Sequence, residues 1–221
     1  MKTVKVYKDI LEYEEEELVG WKGYTLFLRE YWMDLVKLNL LFVVGSLLVV
    51  SIPASVTAMS RIVVAMLHRE KYALVRDFFN TWKKEFVSSL AIGIFTGLGM
   101  GIGIFGFLVA HEGGLIGDSA GNIARAICVV LFFASLDVGI YAFPMKARLE
   151  LGVAEILKNA TLLLFIELKK NLLADVFVVV LMALLVFGFP FDLPLFFVGA
   201  VTFLSFTVSY MTRSGLQACS G

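Results

Sequence analysis

Few residues in this chain have the type and setting for chemistry, and Asp137 stands out among them. It lies in Leu131-Phe132-Phe133-Ala134-Ser135-Leu136-Asp137-Val138-Gly139, a run apolar enough for the interior of a membrane. A carboxylate there costs about 3 kcal/mol unless it is paired, hydrated or protonated. One reading makes Asp137 an ion or proton site, or a polar contact along a substrate path. The other makes it a protonated or hydrogen-bonded strut to Asn39, Arg61 or Ser135, so Asp137, Asn39 and Arg61 form a candidate intramembrane polar site. His68 and His111 are isolated, with no His-Glu-x-x-His pattern around either, and nothing in their setting argues for a metal. Cys128 lies in an apolar run and Cys219 near the C-terminus, which fits free thiols better than a disulfide framework. There is no Gly-x-x-x-x-Gly-Lys-Ser/Thr phosphate loop, no Gly-x-Ser-x-Gly elbow and no cluster of His, Cys and Asp. The expectation is a non-catalytic protein without a cofactor; an intramembrane enzyme would rest on Asp137 alone.

The elements that must position these residues follow from composition. Of 221 residues 59% are hydrophobic, and the mean hydropathy is +0.87. Soluble domains average roughly 45–50% apolar residues, so a soluble fold of this length could not hide so much apolar surface. Lys and Arg together number 19, as do Asp and Glu, and without a net field there is no case for a nucleic-acid partner. The Glu14-Glu15-Glu16-Glu17 run stands where a cleavable signal would need a basic patch and an apolar stretch. The N-terminus is therefore expected to stay attached and cytoplasmic.

The predicted fold is all-α: a polytopic transmembrane bundle of about six spans, with two cytoplasmic amphipathic helices. The first apolar region, from about Tyr31 to Leu67, is long for one span and short for two, and Ser51-Ile52-Pro53 divides it, because proline starts a helix but breaks its interior. The preferred division is Tyr31–Val50 followed by a short or half-spanning Pro53–Leu67, against a single kinked span over Leu38–Ser60. Val87–Ala110 and Ile123–Met145 are expected spans around the glycine-rich loop His111–Gly121. Leu172–Phe189 and Leu193–Met211 are expected to form a last hairpin about Pro190 and Pro194. Phe78, Phe79, Trp82 and Phe86 share one face of a predicted amphipathic helix, and Val153, Ile156, Leu157, Ala160, Leu163 and Leu164 share one face of another. With six spans, every basic residue but Arg125 falls on one side, which the positive-inside rule makes cytoplasmic.

This gives a multi-pass protein of the cell membrane with a cytoplasmic tail over 1–28, one transmembrane domain over 29–213 and a C-terminal tail over 214–221, both termini inside. Gly93, Gly97 and Gly101 form one helical ridge, with Gly99 and Gly103 on a neighbouring one. Such ridges let helix backbones approach closely, within the chain or in a homo-oligomer. Phe79, Trp82, Lys83 and Lys84 form a candidate cytoplasmic contact for a partner protein.

Asn39-Leu40-Leu41-Phe42, Pro53-Ala54-Ser55-Val56-Thr57-Ala58-Met59, Arg69-Glu70 and Asp77-Phe78-Phe79-Asn80-Thr81-Trp82-Lys83-Lys84-Glu85-Phe86 resemble the YesL-like family of bacterial membrane proteins. Tyr141-Ala142-Phe143-Pro144, Ala147-Arg148-Leu149-Glu150 and Leu157-Lys158-Asn159-Ala160 extend the likeness over about residues 25 to 210. The resemblance implies no catalytic residues, since the family's function is unknown. It implies a context, because members often lie beside genes for carbohydrate uptake and importer permeases in Gram-positive bacteria. Two functions are expected on these grounds: an accessory or regulatory component of carbohydrate uptake that contacts a transporter permease, or a small transporter or channel in its own right.

Overall fold

A computed structural model describes residues 21–112, 118–187 and 201–211. Within them the chain forms eight α-helices and no strand: α1 (Trp21–Gly45), α2 (Ile52–Leu67), α3 (Leu74–Lys84), α4 (Phe86–Glu112), α5 (Asp118–Arg148), α6 (Val153–Ile166), α7 (Leu168–Phe187) and α8 (Val201–Met211). The N-terminal tail up to residue 20, the middle of the His111–Gly121 loop, the Pro190–Pro194 break and Cys219 lie outside the described residues.

Helices α4 and α5, of 27 and 31 residues, are the longest among the described residues and pack against each other. Both have the length and apolar composition to cross a membrane, as does the segment Val49–Leu67; Asn171–Val180 and Val201–Tyr210 are shorter apolar helices. Along α4, Ile94, Phe95, Leu98, Ile102 and Phe105 are exposed, an outward apolar face that in water would cost what lipid returns.

The division at Pro53 is where the sequence puts it, with the proline in the first turn of α2, where its missing N–H costs nothing. The preceding helix differs from the expected Tyr31–Val50. It starts at Trp21 and stops at Gly45, and a 3₁₀ turn over Val49–Ser51 leads into α2, so the kinked single span over Leu38–Ser60 does not form. Gly45, the last residue of α1, has no room for a side chain: a Cβ there would lie 2.7 Å from the Ser55 hydroxyl and 3.3 Å from the Phe78 ring. The Ser51 hydroxyl closes the turn, within 2.6 Å of the carbonyls of both Gly45 and Leu48.

This α1–α2 hairpin turns partway along α4. The Thr57 and Ser89 hydroxyls are hydrogen-bonded at 2.7 Å, and Pro53 fills the space beside Gly93, so α2 runs antiparallel to α4 in a fixed register. Continued one turn, that register sets Val49 level with Gly97, leaving about 22 Å of α4 beyond it at 1.5 Å rise per residue. The apex of the hairpin, Leu47, Leu48 and Val49, is 72–79% exposed, and a turn with so apolar a surface suits hydrocarbon.

Two apolar cores flank this arrangement. One joins Phe27, Leu35 and Leu38 of α1 to Met59, Ile62, Val63 and Met66 of α2, with Phe78 and Phe206. The other joins Ile92, Val138, Tyr141, Ala142 and Met145 to Ile156, Ala160 and Leu163 of α6, and Val153, Leu157 and Leu164 pack against it, so the predicted apolar face of α6 is the one buried. Helix α8 is held to α1 where Thr202 N–H donates to Asn39 Oδ1 (3.3 Å) and the Thr202 hydroxyl to the Leu35 carbonyl (3.0 Å).

The end of α2 is built without the usual glycine. Arg69 takes φ 51°, the Glu70 N–H donates to the Ala65 carbonyl and the Arg69 N–H to the Met66 carbonyl, which is a Schellman cap. The left-handed conformation costs a non-glycine residue about 1 kcal/mol. Arg69 has offsetting contacts, its guanidinium 3.8 Å from the Glu30 carboxylate and 5.7 Å from the Phe27 ring centroid. The cap turns Glu70 back toward the helix ends, where it meets two arginines.

Candidate functional site

Two polar clusters occupy different depths of the bundle. The first is an ionic layer where α2, α4 and α5 meet α3. Arg61 Nη1 lies 3.4 Å and Arg148 Nη2 3.6 Å from Glu70, Lys146 Nζ 3.1 Å from Glu85, and Lys84 Nζ 3.1 Å from Glu150. Lys146 also donates to the Leu151 carbonyl at 3.2 Å. The His68 Nδ1 lies 2.8 Å from the Val64 carbonyl and the Nε2 2.9 Å from Arg148 Nη1. Since an arginine can only donate, Nε2 accepts and the other nitrogen carries the proton. A cleft of about 340 Å³ opens among these groups. Burial pushes the Glu85 carboxyl up, but hydrogen bonds from Ser88 and Lys146 and the Lys146 charge outweigh it, and the net position is below the ordinary value. Nearby, burial and the Asp34 carboxylate, 2.7 Å from the Tyr72 hydroxyl, push that phenol well up.

The second cluster lies deeper. Asp137 is nine residues before Lys146 on α5, about 13 Å along the axis. It is buried at 6% exposure, and the second buried carboxylate, Asp175 of α7, at 8%. The Tyr141 hydroxyl donates to Asn171 Oδ1 at 2.7 Å, and Asn171 Nδ2 donates to the Leu164 carbonyl at 3.0 Å. Because α5 and α7 run in opposite directions, the turn that follows Tyr141–Asn171 brings Asp137 to Asp175, and the two carboxylates act on each other electrostatically. Pairs four residues apart share a helix face, so Asp137–Tyr141 meets Asn171–Asp175 as one polar patch.

The structure does not assemble Asn39, Arg61 and Asp137 into one site. Asn39 is buried against α8, Arg61 belongs to the ionic layer, and the Ser135 hydroxyl donates to the Leu131 carbonyl at 2.8 Å. Asp137 faces Asp175 instead, a residue that sequence reasoning did not single out. The available signal was the pair of matched i, i+4 polar positions in two otherwise apolar helices.

The glycine ridges also divide differently from expectation. Added Cβ atoms at Gly97 and Gly101 would meet nothing within 4 Å, so these two do not pack against a helix among the described residues. The α4–α5 contact is made by the neighbouring ridge: a Cβ on Gly99 would strike the Ser135 side chain, and one on Gly103 would lie 2.9 Å from the Cys128 carbonyl and 3.1 Å from Phe132 Cα. Gly93 makes a close approach of its own, to Pro53.

On α3, Phe79 and Trp82 pack against the apolar core built on α1 and α2, and Trp82 Nε1 donates to the Ser55 hydroxyl at 3.2 Å. Lys84 is engaged by Glu150, and Lys83 is exposed. Of the expected partner contact, only the charged edge points away from the molecule. Among the described residues no group of three or more His, Cys, Asp or Glu side chains is placed to hold a metal.

Long helices apolar enough to cross a membrane, a helical hairpin beside them and a charged layer at one end fit a polytopic α-helical membrane protein. Residues 35–107, α1 from its middle through most of α4, match the family model described as "Protein of unknown function, DUF624". That is an uncharacterised family, and the resemblance read from the sequence fits it. No curated protein and no solved structure shows significant similarity to the chain.

Proposed function

We propose that this chain is a non-catalytic membrane protein that assists or regulates solute import, with a transporter permease as its partner. The supporting observation is the ionic layer. Salt bridges tie α2, the α3–α4 junction and the end of α5 together, while α3 and α6 lay their apolar faces inward and keep the charged edge of Arg76, Lys83, Glu155 and Lys158 exposed. A rigid, charged surface at a membrane boundary is what a partner's cytoplasmic loops can read. By the positive-inside rule this layer and both termini face the cytoplasm of a multi-pass cell-membrane protein. Carbohydrate uptake is the context supplied by the resemblance to the YesL-like family, and the open Gly97–Gly101 face leaves room for a homo-oligomer. A photo-crosslinking residue at Lys83 should give, in native membranes, an adduct with an importer permease. An adduct only at twice the chain's mass would replace the partner by a second copy, and no adduct would remove the accessory reading.

The second reading is a small transporter or channel, and the observation that favours it is the Asp137–Asp175 pair. Buried carboxylates inside a helical membrane protein are candidates for ion and proton paths. Purified chain in vesicles should then support a solute or ion flux that Asp137→Asn abolishes. Vesicles as tight as protein-free ones across a panel of sugars and monovalent ions would dismiss this reading.

A further inference from the structure

Between α5 and α7 the chain holds two buried carboxylates with no countercharge among the described residues. Asp137 Oδ1 and Asp175 Oδ1 are both inaccessible and accept no hydrogen bond among the described residues, and both side chains are more than nine-tenths buried. Among the described residues the elements packed around them offer no cation at that depth, and Lys169, at the start of α7, is exposed. On α5 and α7 the polar neighbours are Tyr141 and Asn171, already bonded to each other, while Glu167, at the start of α7, adds a further negative charge that acts on Tyr141. Helix α4 brings Thr96, whose hydroxyl donates to the Ile92 carbonyl, and its own ionisable residues, His111 and Glu112, are at the far end. Helix α8 has no ionisable residue but Tyr210. The cation of α2, Arg61, is engaged by Glu70, and those of α5 nearest the pair, Lys146 and Arg148, by Glu85 and Glu70; Arg125 lies three turns the other way. The charged groups of α6, Glu155 and Lys158, are exposed.

Two bare like charges side by side in a low dielectric repel strongly, and each has lost its water. We propose that Asp137 and Asp175 form a binding site for one monovalent positive charge, a proton or an alkali cation held between the facing carboxylates. Divalent ions fit less well. Calcium takes six to eight oxygens and magnesium keeps a near-ideal octahedron, whereas this patch offers two carboxylates and an amide oxygen that already accepts from Tyr141. The Tyr141–Asn171 bond fixes the distance between the helices, so the carboxylates cannot simply part. The hairpin apex lies at the same depth, because the Gly139 position on α5 faces Thr96 of α4, close to the level at which α1 and α2 turn. The site goes beyond either reading of the transport role, since a bound cation stabilises the fold whether or not it is carried across.

The test uses the full chain in detergent, following thermal unfolding by tryptophan fluorescence between about pH 5 and pH 9, with sodium chloride or, at equal ionic strength, choline chloride. A ligand bound only by the folded state stabilises it, and removing it lowers the melting temperature. In choline the melting temperature should fall by about 4 °C or more as the pH rises. Sodium restoring it at high pH identifies an alkali cation; an equal fall in both salts identifies a proton. The Asp137→Asn/Asp175→Asn double variant should lose this dependence, and its persistence in the variant would overturn the site. A wild-type melting temperature insensitive to both pH and sodium would overturn it equally. Should the double variant fail to fold, the wild-type chain still decides through dicyclohexylcarbodiimide, which modifies protonated carboxyls in apolar surroundings. Adducts on Asp137 or Asp175 that decline several-fold at high pH or with sodium support the site, and their absence at every pH refutes it.

Discussion

Gly103→Leu should strain the α4–α5 contact and lower the melting temperature markedly, whereas Gly97→Leu, on the same helix, should be close to silent. At Gly103 even a methyl carbon would sit 2.9 Å from the Cys128 carbonyl and 3.1 Å from Phe132 Cα. These are backbone atoms of the facing helix and cannot rotate away. A leucine adds three further carbons to a contact already at its limit, and overpacking of a rigid site costs about 3 kcal/mol. That is a substantial fraction of the roughly 5–15 kcal/mol by which folded proteins are stable. At Gly97 the same side chain meets open space and adds apolar surface where the environment is lipid, so the change should stay within about 0.5 kcal/mol. Detergent melting of the two variants side by side checks this. Equal losses would mean that Gly97 also touches a helix, and a loss of oligomeric size confined to Gly97→Leu would place a second copy there.

That contrast shows what the sequence could and could not disclose. Glycines four apart announce a close backbone approach, but the chain carries two such ridges, and only the partner helix decides which one is used. The boundary at Pro53 was legible because proline has one comfortable position in a helix. The end of α1 was not, because Ser46-Leu47-Leu48-Val49-Val50 continues the apolar pattern, and the turn is held by the Ser51 hydroxyl on the Gly45 and Leu48 carbonyls and by the close approach of Ser55 and Phe78 to Gly45, contacts that spacing does not show. The apolar faces of α3 and α6 could be read from spacing, but whether Phe79 and Trp82 greet a partner or their own core could not. Asp137 was legible as a carboxylate too deep to be ordinary. Its neighbour Asp175 was hidden by sequence distance, and only the antiparallel register of α5 and α7 joins them.

Breaking the Glu85–Lys146 pair from one side should be the most damaging change in the ionic layer. The two side chains are 14% and 11% exposed and 3.1 Å apart, so little water can replace a lost partner. Lys146→Met would leave Glu85 with the Ser88 hydroxyl, 2.8 Å away, and the solvent-facing Lys84 at 3.9 Å. Truncating one member of a buried pair costs about 3–5 kcal/mol, and the residual contacts here bring the expectation to about 2–3 kcal/mol. Glu85→Gln should cost less, because the amide can still accept from Lys146, which also keeps its bond to the Leu151 carbonyl. The double variant should recover part of the loss, since removing both charges removes the desolvation penalty as well. The pH dependence carries a definite sign. The Glu85 carboxyl lies below its ordinary value of 4.5 in the folded chain, so the folded state binds its proton less readily than the unfolded one. Its contribution is present above the unfolded value and is lost as the pH falls through the folded one. Wild-type melting temperature should therefore decline as the pH is lowered below about 4.5, and Lys146→Met should decline less over that interval. A Lys146→Met variant that melts like wild type at neutral pH would show that the pair contributes no net stability, and the ionic layer would lose its central element.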